Sequence, residues 1–137
     1  MANLLFPVLN ILSDGKFHSG EAIAKHFNVS RVSIWQAIAE AEKLGVEIFS
    51  VRGKGYSLSH SVQFIDEDKV KQSIGEMASW FNIKVFDVVD STNNFLMQEA
   101  PKGYPHASCV ATNIQTSGKG RRGRQWQSSL GENLTFS

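Results

Sequence analysis

Three observations predict an α+β chain made of two unlike parts. Through the first 45 positions apolar residues recur at helical spacing. The rhythm then shortens to alternating runs joined by a glycine-rich turn. From residue 63 onward strand-like and helix-like runs alternate, interrupted by one long polar segment rich in glycine and arginine. The chain has 137 residues, a length that suits one domain or two small ones. Its 42% hydrophobic content is enough to bury a core, and its 20% charged content argues against disorder.

The first helix is expected over Leu4 to Leu12, with Leu5, Val8, Leu9 and Leu12 on one face and Pro7 in the first turn. Proline costs little there, because the N–H it lacks would have no helical partner anyway. Asp14-Gly15 supplies the stop. Ser19 is the expected N-cap of a short second helix running to His26, with Ile23 and Phe27 inward. Asn28-Val29 forms a tight turn, and Ser30 caps a third helix. Its apolar face is Ile34, Ala37, Ile38, Ala41 and Leu44, and Gly45 is the left-handed residue past its end. Val46 to Val51 then alternates as a strand, Arg52-Gly53-Lys54-Gly55 turns, and Tyr56 to Leu58 returns. Three helices followed by a β-hairpin make the layout of a winged helix-turn-helix. The first domain is placed at residues 1–62, ending in the small polar stretch SLSHSV.

The second domain is placed at residues 63–137. A polar-faced helix is expected over Asp66 to Met77 and a strand over Ile83 to Val89. Next come a helix over Ser91 to Ala100, capped by Asp90 or Ser91, and a strand over Ala107 to Ile114. Gln115 to Ser128 reads as a loop, and Asn133 to Ser137 begins another strand.

Bulk properties bound the function only loosely. Net charge is +1, so nucleic-acid binding has to be argued from where the charges sit. The single cysteine, Cys109, rules out an intramolecular disulfide and reads as a small core residue. The start lacks a basic leader and a small-residue cleavage site. No apolar run reaches the roughly 18–20 residues of a membrane span. A soluble, cytoplasmic protein is the expectation.

In a helix-turn-helix the third helix offers its N-terminal side chains to base edges in the major groove. Here they are Ser30, Arg31, Ser33, Trp35 and Gln36. Arginine can bind guanine bidentately and glutamine can bind adenine, while serine contacts phosphate or base. Ser19 joins them at the start of the second helix, and Arg52 and Lys54 flank glycines in the wing turn. Two readings stay open: a DNA face, or a solvated surface of a protein-binding module. Trp35 fits packing beneath the wing as well as lying along a DNA backbone.

In the second domain, Gly118-Lys119-Gly120-Arg121-Arg122-Gly123-Arg124-Gln125-Trp126 combines three glycines and four cations with no acid. Glycines let backbone N–H groups curl toward an anion, and arginines supply forked donors for phosphate or carboxylate. Repulsion among the cations and the entropy of glycine would leave such a loop mobile while empty. It is not a Walker A loop, whose lysine is followed by Ser or Thr. Taken alone, it also suits an RNA-binding patch or a plain solvated loop. Upstream, Asp90-Ser91-Thr92-Asn93 follows a strand and opens a helix. Those groups suit a small polar ligand with carbonyl or ureido groups, and they also suit helix capping alone.

FHSGE at 17–21, GKGYSL at 53–58, DSTN at 90–93 and GKGRRGRQW at 118–126 occur in that order. Together they resemble the bifunctional biotin–protein ligases that also repress the biotin operon, and the resemblance runs over nearly the whole chain. It implies a winged helix followed by the truncated start of a class II synthetase-like α/β ligase domain. It implies activation of biotin with Mg2+-ATP to biotinyl-5′-AMP, then transfer to a carrier-domain lysine, as in the biotin carboxyl carrier protein. It also implies a homodimer on operator DNA when the adenylate, acting as co-repressor, is bound. By matching position, Ser91, Thr92, Asn93 and Gln115 fall in the biotin site. Gly118, Lys119, Gly120, Arg121, Arg122 and Trp126 fall in the ligand loop, with Arg121 catalytic; no metal-ligating residue is assigned. Lys119 departs from the family pattern, which often has arginine there, and the loss of the planar fork implies slightly weaker adenylate binding.

The same family carries further on a Lys-Trp-Pro-Asn-type segment, which is absent here. The nearest tryptophans sit in Ser79-Trp80-Phe81 and Gln125-Trp126-Gln127. The chain is therefore expected to be a fragment without ligase activity of its own. A non-enzymatic regulator whose second domain senses a ligand is the alternative.

Residues 1–58 hold six Lys and Arg against five Asp and Glu, so the field of this domain is nearly neutral. One copy should bind DNA weakly, and useful affinity should require a dimer on a two-part operator. Electrophoretic mobility titration checks this. A tight monomeric complex at about 0.15 M salt would contradict it.

Overall fold

The computed structural model describes residues 3–137, which form two units, one ending at Gln63 and the other beginning at Phe64. In the first, helices α1 (Leu5–Leu12), α2 (Gly20–Phe27) and α3 (Arg31–Lys43) precede an antiparallel hairpin, β1 (Ile48–Val51) and β2 (Gly55–Leu58). The apolar stripes that define the helices also make the core. Leu5, Val8, Leu9 and Leu12 meet Ile23, Ile34, Ile38, Ala41 and Leu58 out of water. Phe27 and Leu44 are only half-buried, at the ends of their helices.

The caps set the boundaries. The Ser19 hydroxyl accepts from the Ala22 N–H at 3.1 Å, and the Ser30 hydroxyl accepts from that of Ser33 at 3.1 Å. Each satisfies a donor that would otherwise be orphaned, a contribution of about 1 kcal/mol. Asn28 between them is left-handed (φ 54°), which turns the chain sharply enough to bring α3 back across α2. The expected strand at Val46 begins only at Ile48. Val46 instead directs its N–H to the Ala41 carbonyl and buries its side chain, completing the end of α3.

The wing is fastened by a pairing that local pattern did not reveal. His18 and Tyr56 exchange both backbone hydrogen bonds (2.9 and 2.8 Å), adding a short third edge to the hairpin. Gly55 makes this approach geometrically feasible, since a Cβ there would run into the His18 carbonyl oxygen. The Ser57 hydroxyl donates to the Gly15 carbonyl at 3.0 Å, tying β2 to the turn after α1.

The second unit is built on a parallel pair, β3 (Asn82–Val89) and β4 (Ser108–Gln115), joined through helix α5 (Thr92–Glu99). Strand β7 (Thr135–Phe136) adds antiparallel to the other edge of β4. Phe95 of α5 packs at a tilt on Phe86 of β3 (centroids 5.0 Å) and edge to face with Tyr104 (5.6 Å), and this apolar contact holds the crossover helix on the sheet. Helix α4 (Glu67–Ile74), capped by Asp66, is shorter than expected: Gly75 (φ 59°) breaks it, and Gly75–Trp80 continues as a 3₁₀ segment. Glu67 blunts the β3 edge by accepting the Val85 N–H at 3.0 Å while pairing Lys71 at 2.7 Å. The Lys71 ammonium first, and then that backbone N–H, hold its carboxyl below the usual range.

Among the described residues, no helix is long and apolar enough to cross a membrane.

Gly55→Ala should destabilise the first unit by about 3 kcal/mol or more, through overpacking and a forced left-handed residue. Gly53→Ala, also at positive φ but with open space around it, should cost about 1 kcal/mol. Urea unfolding followed by circular dichroism separates the two, and equal losses would show that the His18 contact does not matter.

Candidate functional site

In the first unit, α3 turns Ile34, Ala37, Ile38 and Ala41 inward and leaves Arg31, Trp35 and Gln36 exposed. Trp35 is 60% exposed, which decides against packing beneath the wing. Ser19, Ser30 and Ser33 are all engaged locally. The first two are caps, and the Ser30 and Ser33 hydroxyls lie 3.0 Å apart. Their remaining lone pairs and protons are free to turn outward, but their first task is to start the helices. Arg52 and Lys54 stand exposed on the wing turn. The Lys54 ammonium lies 5.7 Å from the centre of the Phe17 ring, a cation–π contact that steadies it against the loop before α2. Asp14 accepts from His18 at about 3.0 Å on the same loop. Its carboxyl lies below the usual range, chiefly through the Lys16 backbone N–H, with His18 adding to it.

In the second unit, the end of β3 delivers Asp90 to the start of α5, and the end of β4 delivers Gln115 beside it. Ser91 is the cap, accepting from Asn94 N–H at 3.3 Å. Asp90 lies one residue earlier and accepts from the Asn94 side-chain amide. Its carboxyl is lowered first by the Ser91 N–H, then by Asn94, with Lys119 contributing its charge. Ser91 and Thr92 are buried, whereas Asn93 is exposed. The Gln115 side-chain carbonyl accepts the Thr92 N–H at 3.0 Å, so one helix-start donor is satisfied from another strand. The Thr92 hydroxyl also lies 2.8 Å from that of Ser137.

The segment after Gln115, expected as a loop, is folded. Strands β5 (Gly118–Lys119) and β6 (Gln125–Trp126) form a small antiparallel hairpin. Its root is fixed on the α5 side: the Thr116 N–H bonds the Val89 carbonyl, and the Ser117 N–H bonds that of Asp90 at 2.7 Å. At its tip the Gly120 N–H donates to the Arg124 carbonyl at 2.7 Å. Arg122 (φ 59°) and Gly123 (φ 72°) are both left-handed, so the turn carries one non-glycine residue in a costly conformation. Gly118 is buried, and a Cβ on it would strike the Gln115 amide and the Trp126 carbonyl. The turn thus presents Lys119, Arg121, Arg122 and Arg124 to solvent, with Trp126 beside them, 58% exposed. This arrangement gathers the expected ligand residues of the second unit around one strand end, with donors and cations suited to an anion. Among the described residues no cluster of three or more His, Cys, Asp or Glu forms a metal site.

Pattern reasoning passed over Phe17, Val32 and the structural role of Gly55. Spacing marks none of them.

Comparison with known proteins agrees with this two-part build. Residues 5–57 match an HTH domain, and residues 85–137 match the Biotin/lipoate A/B protein ligase family. The chain is 38% identical over 130 residues to the bifunctional ligase/repressor BirA of Salmonella typhimurium, covering 95% of this chain and 39% of that protein. The protein of the same name from Escherichia coli is 36% identical over the same shares, and that of Bacillus subtilis 30% over 89% and 38%. The chain spans about two-fifths of the length of these relatives.

Gly118→Ala should push Gln115 off Thr92, and Gln115→Ala should remove the acceptor outright. Each loses one hydrogen bond of about 1 kcal/mol, or roughly fivefold in hydrogen-exchange protection at the Thr92 amide. Exchange at Ile34 in the first unit serves as the unchanged control. Undiminished protection of Thr92 in both variants would refute the pinning.

Proposed function

We propose that the protein to which these residues belong is a biotin–protein ligase that also represses transcription of biotin synthesis. Residues 1–62 serve as its winged-helix DNA-binding domain, and residues 63–137 as the N-terminal part of its catalytic domain. The observation that carries this reading is the anchoring of the Asp90–Asn93 helix start beside a glycine-rich cationic hairpin through Gln115. The homology to bifunctional ligase/repressors supports it.

In the reaction, a biotin carboxylate oxygen attacks the α-phosphorus of Mg2+-ATP and pyrophosphate leaves, giving biotinyl-5′-AMP. The amine of a carrier-domain lysine then attacks the acyl carbon and AMP leaves. Ser91, Thr92, Asn93 and Gln115 hold the ureido and carbonyl end of biotin. Gly118, Lys119, Gly120, Arg122 and Trp126 surround the adenylate. Arg121 neutralises charge on the carboxylate and the α-phosphate as the mixed anhydride forms. Carrier and operator are the macromolecular partners. Ser19, Ser30, Arg31, Ser33, Trp35, Gln36, Arg52 and Lys54 meet the operator when the adenylate-bound protein dimerises. The compartment in which it acts is the cytoplasm, a reading supported by the single cysteine and by the proposed DNA target.

The test uses the reading frame containing this chain, expressed at its full extent, with biotin, Mg2+-ATP and a biotin carboxyl carrier domain. Carrier biotinylation is expected, with Arg121→Gly lowering the rate by about 10²–10³-fold. Adenylate binding without any carrier labelling would instead favour a ligand-sensing regulator. Labelling unchanged in the variant would remove Arg121 from the chemistry.

A further inference from the structure

We propose that Val32, with Trp35 one turn beyond it, reads the 5-methyl groups of thymines in the major groove. This deepens the DNA-binding reading above and rests on it. Val32 is the second residue of α3 and keeps 61% of its surface open, and Trp35 keeps 60%. They stand i and i+3, on the face opposite Ile34, Ala37, Ile38 and Ala41, which are buried.

Valine is a poor choice for a merely solvated helix position. It lowers helix propensity relative to alanine and leaves apolar surface in water. A valine side chain has no hydrogen bond to offer a base or a phosphate. What the major groove offers such a group is the thymine C5-methyl. The surroundings suit DNA rather than a protein partner. From Ser30 to Ile38 the helix carries one charge, Arg31, and no acid. In the same unit the wing turn exposes Arg52 and Lys54, the latter steadied by Phe17.

The spacing makes the inference specific. Residues three apart are separated by about 4.5 Å along a helix axis, and base pairs by about 3.4 Å along the duplex. Val32 and Trp35 therefore meet neighbouring A·T pairs, and Gln36 and Arg31 read the flanking positions.

The 137-residue chain is used to select binders from a random-sequence duplex library at low salt. Each thymine of the selected site is then replaced singly by deoxyuridine, which removes only the methyl. Binding is expected to fall about fourfold per contacted methyl, at one or two adjacent pairs. Val32→Ser should abolish the difference at one of those pairs, while Val32→Thr, which keeps a methyl, should preserve it. The position is exposed, so both variants should fold. Selection of a site whose affinity ignores every methyl, or a Val32→Ser variant that still discriminates, overturns this inference while leaving DNA binding intact. Failure to select any duplex overturns the DNA-binding reading together with it.

Discussion

Parallel strands cannot be joined by a tight turn, and the second unit is organised by that constraint. The chain leaves the end of β3, must cross back along the sheet, and uses α5 to do so before entering β4. Both strands then finish at the same end of the sheet, so whatever follows each of them is brought together there. After β3 comes Asp90-Ser91-Thr92-Asn93, and after β4 comes Gln115 with the cationic hairpin. Open sheets of this kind place ligands outside the carboxyl ends of their strands for this topological reason. Helix-start donors, a side-chain amide and a run of cations therefore share one rim, although 22 residues separate Asn93 from Thr116 in the sequence.

Gln115 converts that proximity into a fixed geometry. A helix start leaves N–H groups unpaired, and Ser91 satisfies one of them locally. Thr92 finds its acceptor on the neighbouring strand instead. The α5 start and the end of β4 thereby become one structural piece, and the buried Gly118 extends it to the hairpin. The first unit solves a comparable problem differently. Its wing is a two-stranded hairpin, which on its own is marginally stable, and the His18–Tyr56 pairing supplies the missing edge. In both units a glycine admits a backbone or amide group where any side chain would intrude, and each glycine lies next to proposed binding residues.

The helices were legible in the sequence because their determinants are local. Ser19, Ser30 and Ser91 each sit one residue ahead of a periodic run, and each caps it. Gly45 is left-handed where the third helix ends. The strands of the parallel pair were legible because both are long, with buried Val110, Ala111 and Ile114 marking β4 as central. What escaped depends on contacts distant in sequence. No pattern near residue 18 points to Tyr56. The hairpin at 118–126 has two-residue strands, too short to show alternation, and its polar composition reads as loop. The shortened α4 has another cause: Gly75 lies within a polar-faced run, where its left-handed geometry was not evident. Of the proposed binding residues, the cations could be recognised by composition, whereas Val32 is visible only once the buried face of α3 has been drawn.

The hairpin turn shows why the cations are arranged this way. Four positive side chains within six residues repel one another, and Arg122 in a left-handed conformation adds a cost of order 1 kcal/mol. Neither favours the fold. The opposing terms are the short Gly120–Arg124 hydrogen bond at the tip and the bonds from Thr116 and Ser117 at the root. Those bonds hold the backbone in place, so repulsion must be borne by the side chains, which turn outward into water. An anion bound among them would neutralise the repulsion without requiring the backbone to rearrange. Binding energy would then go into charge stabilisation and not into ordering the loop. Beside the hairpin root, the Asp90 carboxyl is held below the usual range first by the Ser91 N–H and then by Asn94, with the Lys119 charge a smaller contribution. Lys119, Arg121, Arg122 and Arg124 all stand exposed, so each of the four cations is open to an incoming phosphate without a change of backbone.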